Sequence, residues 1–157
     1  MSTNTGLVAG LVSKQQAEGS APGRFFEQIL TAARLPYWHR YAGSRRQHMA
    51  DGILEAAGEC RRATLSFDDR HNVLRLEVRL GRVADLPSRH LAAMLETQTA
   101  SVLTRVLYDR EDGGITLRSS TVWIDGRDSA RIVKALFADM KRTLEHEQVR
   151  SLCSMAA

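Results

Sequence analysis

The sequence is short of almost every residue pattern that marks a specialised chemistry. Two cysteines, Cys60 and Cys153, are the whole complement in 157 residues. Neither sits in a CxxC pair or a Cys/His cluster, which argues against a zinc module and a disulfide scaffold. Prolines number three and aromatics make up 6% of the chain. Lysine is scarce too: Lys14, Lys134 and Lys141 stand among 22 basic residues, and the rest are arginine. No run approaches the ~18 apolar residues of a membrane-spanning helix. Leu7–Val12 is apolar, but no positive stretch precedes it and Lys14 follows, so it does not read as a signal peptide. A cytoplasmic, bacterial protein with no membrane segment is expected. GxxxxGK[ST], GxGxxG, GxSxG and HExxH are all missing. An enzyme is therefore not expected, and neither a cofactor nor a metal.

What is present is the composition of an ordinary globular domain, 43% apolar and 25% charged. The length points to one domain with a core of its own. The formal net charge is +4 and the isoelectric point about 9.5. That excess is too small for a dedicated nucleic-acid binder. Its placement is uneven. From Arg34 to His48 the chain carries Arg34, Arg40, Arg45 and Arg46 and no acid, whereas beyond Ala63 bases and acids nearly balance.

Periodicity divides the chain into a flexible N-terminal tail (1–23), a single α+β domain (24–148) and a C-terminal tail (149–157). The tail carries one helical turn near Leu11. Phe26, Ile29, Leu30 and Ala33 share a helical face over Arg24–Leu35, with Ser20 as a cap, Pro22 in the first turn and Pro36 as the stop. Pro36–Gln47 reads as a loop. Met49–Glu59 is open between helix and strand, because Gly52 and Gly58 interrupt a helical face. Arg62–Arg82 is a hairpin: Ala63, Leu65 and Phe67 alternate with polar residues, the turn is Asp68-Asp69-Arg70-His71-Asn72, and Leu74, Leu76, Val78 and Leu80 alternate on the return. Asp85-Leu86-Pro87-Ser88 starts a middle helix to about Ala100. Val102–Tyr108 and Ile115–Ile124 make a second hairpin, whose far end is apolar on both faces. A wide stripe of Ile132, Val133, Leu136, Phe137, Met140 and Leu144 marks a last helix from Asp128 to about Gln148, after which Ser151–Ala157 is expected to fray. The reading is an antiparallel sheet of about five strands with three main helices.

That order, with its best stretch in Met94–Leu144, resembles the type III secretion chaperones and the YbjN-like family. The features that carry it are the polar helix end Glu96-Thr97-Gln98-Thr99, the strand Leu103–Tyr108, an acidic-Gly turn, the strand Gly114–Ile124, an Asp-Gly link and the amphipathic helix Ser129–Leu144. The resemblance implies a non-enzymatic homodimer, a small chaperone or adaptor that binds an extended segment of a protein client. By position, it places the dimer contact at Leu91, Met94, Leu95, Val122 and Ile124.

Among candidate sites, the segment from Leu35 to Arg46 is the most distinctive. Tyr37, Trp38 and Tyr41 interleave with Arg40, Arg45 and Arg46. Such a set grips an acidic peptide through cation–π and bidentate contacts. It also suits a nucleic acid, by stacking bases and pairing phosphates, which gives the alternative of a nucleic-acid-associated factor. A third reading is a roadblock-like regulatory module that docks on a GTPase or signalling protein. Asp68, Asp69 and His71 read as turn residues before they read as metal ligands. Cys60, beside Arg61 and Arg62, reads as an ordinary strand-start cysteine before a reactive thiol.

Overall fold

The computed structural model describes residues 24–44, 46–123 and 128–156. The expected tail 1–23, the capping role of Ser20, Arg45, Ile124 and the Asp-Gly link lie outside them. Ten elements follow one another: α1 (Arg24–Ala32), β1 (His39–Ser44), β2 (Gln47–Ala56), β3 (Glu59–Asp68), β4 (Val73–Arg82), α2 (Ser88–Ala100), β5 (Thr104–Tyr108), β6 (Gly114–Val122), α3 (Ser129–Glu145) and α4 (Glu147–Met155). The strands form one antiparallel sheet in the order β1-β2-β3-β4-β6-β5. The fold is α+β, as expected, with six strands where about five were read and four helices where three were.

Alternation in the sequence sets the two faces of this sheet. Leu65 and Phe67 on β3, Leu74, Leu76 and Val78 on β4, and Ile115 and Leu117 on β6 are fully buried on one face. The stripe of α3 lies over them, with Leu136 and Met140 fully buried. Phe25 and Phe26 on α1 reach the same face: the Phe25 ring stands 5.2 Å from that of Phe67 and 5.5 Å from that of Trp123. Asp128 caps α3, its Oδ1 accepting the Arg131 N–H at 3.2 Å. The opposite face carries a polar row across all six strands: His39, Asp51, Thr64, Glu77, Arg118 and Arg105 are successive register partners.

Three expectations need correction, and the open reading of Met49–Glu59 is settled. Pro36–Gln47 is not a loop, since β1 occupies its middle. Met49–Glu59 is strand and turn, because Ala57 and Gly58 both take positive φ (53° and 74°) and so close a two-residue hairpin of the kind that suits strand twist. Gly52 then sits mid-strand rather than mid-helix. The last helix stops at Glu145, where His146 leaves helical geometry (ψ 137°), and a separate helix begins at Glu147. Finally, Ser151–Met155 belongs to α4 and does not fray: Val149 and Leu152 are fully buried. Ala156 then rests against Gly81, where a Cβ would come within 2.7 Å of the Ala156 carbonyl oxygen.

Candidate functional site

The aromatic and basic segment singled out in the sequence becomes the edge of the sheet. β1 pairs with β2 on one side, and no described strand pairs with it on the other. Its hydrogen-bonding polarity follows from its neighbours. The Arg46 carbonyl accepts the Asp69 N–H at 2.9 Å, in register with the β2–β3 pairing. Alternation from that bond turns the even residues of β2 toward β3 and the odd ones toward β1. Asp51 and Met49 therefore bond His39 and Tyr41, their register partners. The backbone groups of Arg40 and Ala42 point outward, away from the sheet. An edge of this kind is a template for another extended chain.

Each side of the edge has its own chemistry. On the open sheet face, His39 and Tyr41 stack with ring centroids 6.3 Å apart. Tyr41 donates its hydroxyl to Asp51 Oδ1 at 3.1 Å, Thr64 donates to the same oxygen at 2.7 Å, and Arg62 holds Oδ2 at 2.9 Å. Burial alone raises the Asp51 pKa; the bonds from Thr64, Arg62 and Tyr41 outweigh it and hold the carboxyl below its ordinary value. The Tyr41 phenol moves the other way, raised by burial and by its bond to this carboxylate. Tyr37 and Ile53 are 75% and 61% exposed, so the edge carries an uncovered apolar margin.

On the helical side, Arg40 pairs with Glu27 of α1 at 2.8 Å. Trp38 turns inward and is only 3% exposed, with its ring 5.5 Å from that of Phe137. It is a core residue, so it does not serve as the exposed contact expected from its place in the segment. Beyond it, a groove of about 480 Å³ runs between the end of α1 and α3. Leu35, Val133 and Phe137 line it, with Arg34 and Lys134 among the lining residues. The structure thus brings Arg40 and Tyr41 together on β1, with Tyr37 in the turn just before it and Arg46 exposed at the turn after it. Ile53, Asp51 and Lys134 were missed as members of this site, whereas Arg34 was read as the start of the basic stretch. The signal for β1 was in the sequence: Tyr37, His39 and Tyr41 alternate with Trp38, Arg40 and Ala42, a period of two. Nothing local pointed to Lys134, which topology alone delivers.

The residues assigned by resemblance to a dimer contact divide differently. Leu91 and Val122 are 40% and 60% exposed, and Val102 nearby in sequence is 78% exposed. Met94 is 5% exposed and belongs to the protomer's own core. The Leu95 side chain and Ile124 lie outside the described residues. Asp139 of α3 is 6% exposed and accepts from Ser101 Oγ (2.7 Å), Thr104 Oγ1 (2.6 Å) and the Leu103 N–H (3.2 Å). Its carboxyl pins the segment that leads from α2 into β5.

The remaining candidates are local. Asp68 accepts the Arg70 and His71 N–H groups and the His71 ring, a turn made by its own side chain. Among the described residues, no group of three or more His, Cys, Asp or Glu stands together as an ion site. Cys60 is exposed and unbridged; Cys153 is partly buried, and that burial raises its thiol pKa. No helix among the described residues is long and apolar enough to cross a membrane.

No family model matches the chain, and no curated protein matches it. Among solved structures, it is similar to a chain of the HopA1–SchA chaperone–effector complex, at 20% identity and a TM-score of 0.45. The likeness covers 68% of this chain and 75% of that one.

Proposed function

We propose that the chain is a non-enzymatic protein-binding module, a small dimeric chaperone or adaptor that holds an extended segment of a client protein along β1. One observation carries the reading. The stretch richest in aromatics and arginine contains an edge strand whose Arg40 and Ala42 backbone groups face away from the sheet. Adding a strand there satisfies those groups, and alternate side chains of the client fall to the two sides of β1. One side offers Tyr37, Tyr41 and Ile53; the other offers the groove beside α3. The element order, which resembles that of the type III secretion chaperones, agrees with a binding role. Leu91 and Val122 are the exposed residues that a second copy would cover.

The test is a pull-down from the source lysate, with and without nuclease, by the native chain and by an Ala42→Pro variant. Proline removes an outward N–H and leaves the β1–β2 pairing intact. The reading expects a dominant protein partner that survives nuclease and is lost with Ala42→Pro, while circular dichroism stays native. Partners that disappear with nuclease, alongside nucleic-acid absorbance in the eluate, overturn it in favour of the nucleic-acid alternative.

A further inference from the structure

We infer that the segment received along β1 is acidic, with aliphatic residues alternating with carboxylates; this rests on the reading of β1 as the client edge. The argument is one of charge left over after the fold has paired its own. Five described cations surround the edge and its groove: Arg34, Arg40, Arg46, Arg62 and Lys134. Glu27 and Asp51 are the acids in ion pairs with this set, and each is already engaged, with Arg40 at 2.8 Å and with Arg62 at 2.9 Å. Arg34, Arg46 and Lys134 have no ion-pair partner among the described residues. Two of these, Arg34 and Lys134, line the same groove as Leu35, Val133 and Phe137. Side chains of an added strand that turn to this side meet two cations without ion-pair partners and so need a negative charge, while their neighbours turn to the opposite face. The open face differs: Tyr37, Tyr41 and Ile53 are exposed there and Arg62 is already held by Asp51, so the neighbours need an apolar body.

An all-apolar segment would leave these cations unmatched, and a basic one would meet like charge along the groove. A nucleic acid would find the phosphate partners but could not complete the outward N–H and C=O pattern of Arg40 and Ala42. A strand alternating carboxylate and aliphatic residues meets all of these demands.

The probe is a fluorescein-labelled synthetic peptide alternating glutamate and valine, followed by anisotropy against the full chain. A lysine–valine peptide, a proline-interrupted glutamate–valine peptide and an oligothymidylate of matched length are run beside it. The glutamate–valine peptide is expected to bind at least tenfold more tightly than the other three, and to weaken by about tenfold between low and high salt. Lys134→Glu and Arg46→Glu, both exposed positions that leave the core untouched, should each remove most of that preference while thermal unfolding stays native. Equal binding of the two charged peptides, with the same loss on proline interruption, overturns the acidic assignment and leaves the edge reading standing. Tighter binding of the oligothymidylate overturns both, and so does the absence of binding by any peptide.

Discussion

Trp38 lies across Gly52, so close that a Cβ at residue 52 would stand 2.1 Å from ring atom Cε2. The glycine that interrupts a helical reading of Met49–Glu59 is there because an indole needs its space. The relationship locks β1 to β2 from the helical side and seats Trp38 against Phe137. Gly52→Ala, which in most strands would be neutral or mildly favourable, should here cost about 1–3 kcal/mol as an overpacked site. Chemical denaturation of the variant checks this. A midpoint equal to that of the native chain would mean that the ring moves aside freely.

A pH effect follows from Asp139. Its burial raises its pKa, but the bonds from Thr104, Ser101 and the Leu103 N–H prevail and the net shift is downward from the ordinary 3.8. A group whose folded pKa is depressed contributes stability above its unfolded pKa, and that contribution fades as pH falls through the folded value. Stability should therefore be level near neutrality and decline below about pH 4, the ordinary carboxylate range. Asp51, lowered in the same direction, adds to the decline. Asp139→Asn should cost about 2–3 kcal/mol at neutral pH, since it weakens charge-assisted bonds at a buried site. It should also flatten the acid limb measured by thermal unfolding between pH 7 and pH 3. An unchanged limb in the variant would show that Asp139 does not govern it.

The fold was legible where alternation or a helical stripe was long. β3, β4, β6 and α3 each present buried residues at the expected spacing, and Asp68 makes the expected turn. β1 and α4 were not legible, for two different reasons. β1 is six residues long and carries no aliphatic alternation, so its period of two is written in aromatic and basic side chains that equally suit a loop. α4 follows a helix that reads, in sequence, as continuous; the break at His146 comes from backbone geometry with no proline or glycine to announce it. Of the candidate site, the strand was visible as composition. Its groove was not, because Leu35 and Phe137 meet only through tertiary packing.

The structure gives α4 an energetic role that a fraying tail would lack. Leu152 is fully exchanged from water into the core, beside Val149. Leu152→Ala should cost about 2–5 kcal/mol, the range for a buried leucine truncated to alanine. Ser151→Ala, one position away and exposed, should stay within about 0.5 kcal/mol. Paired denaturant titrations separate the two. Equal midpoints for both variants would return α4 to the status of a loose tail.

The proposed dimer makes a prediction that differs in kind, because its residues matter only between copies. Val122 is 60% exposed and pairs in register with Val73, the first residue of β4. A protomer by itself has no reason to resist Val122→Lys, so its unfolding midpoint should move little. If a second copy covers Val122 and Leu91, the lysine brings an uncompensated charge into that contact. Light scattering behind a sizing column should then show the native chain at twice the protomer mass and the variant at one. Met94→Ala supplies the contrast. Its side chain is buried within the protomer, so it should lower stability by about 2–5 kcal/mol in whatever assembly forms. A native chain that elutes at protomer mass across the micromolar range removes the dimer and leaves Leu91 and Val122 as ordinary surface residues.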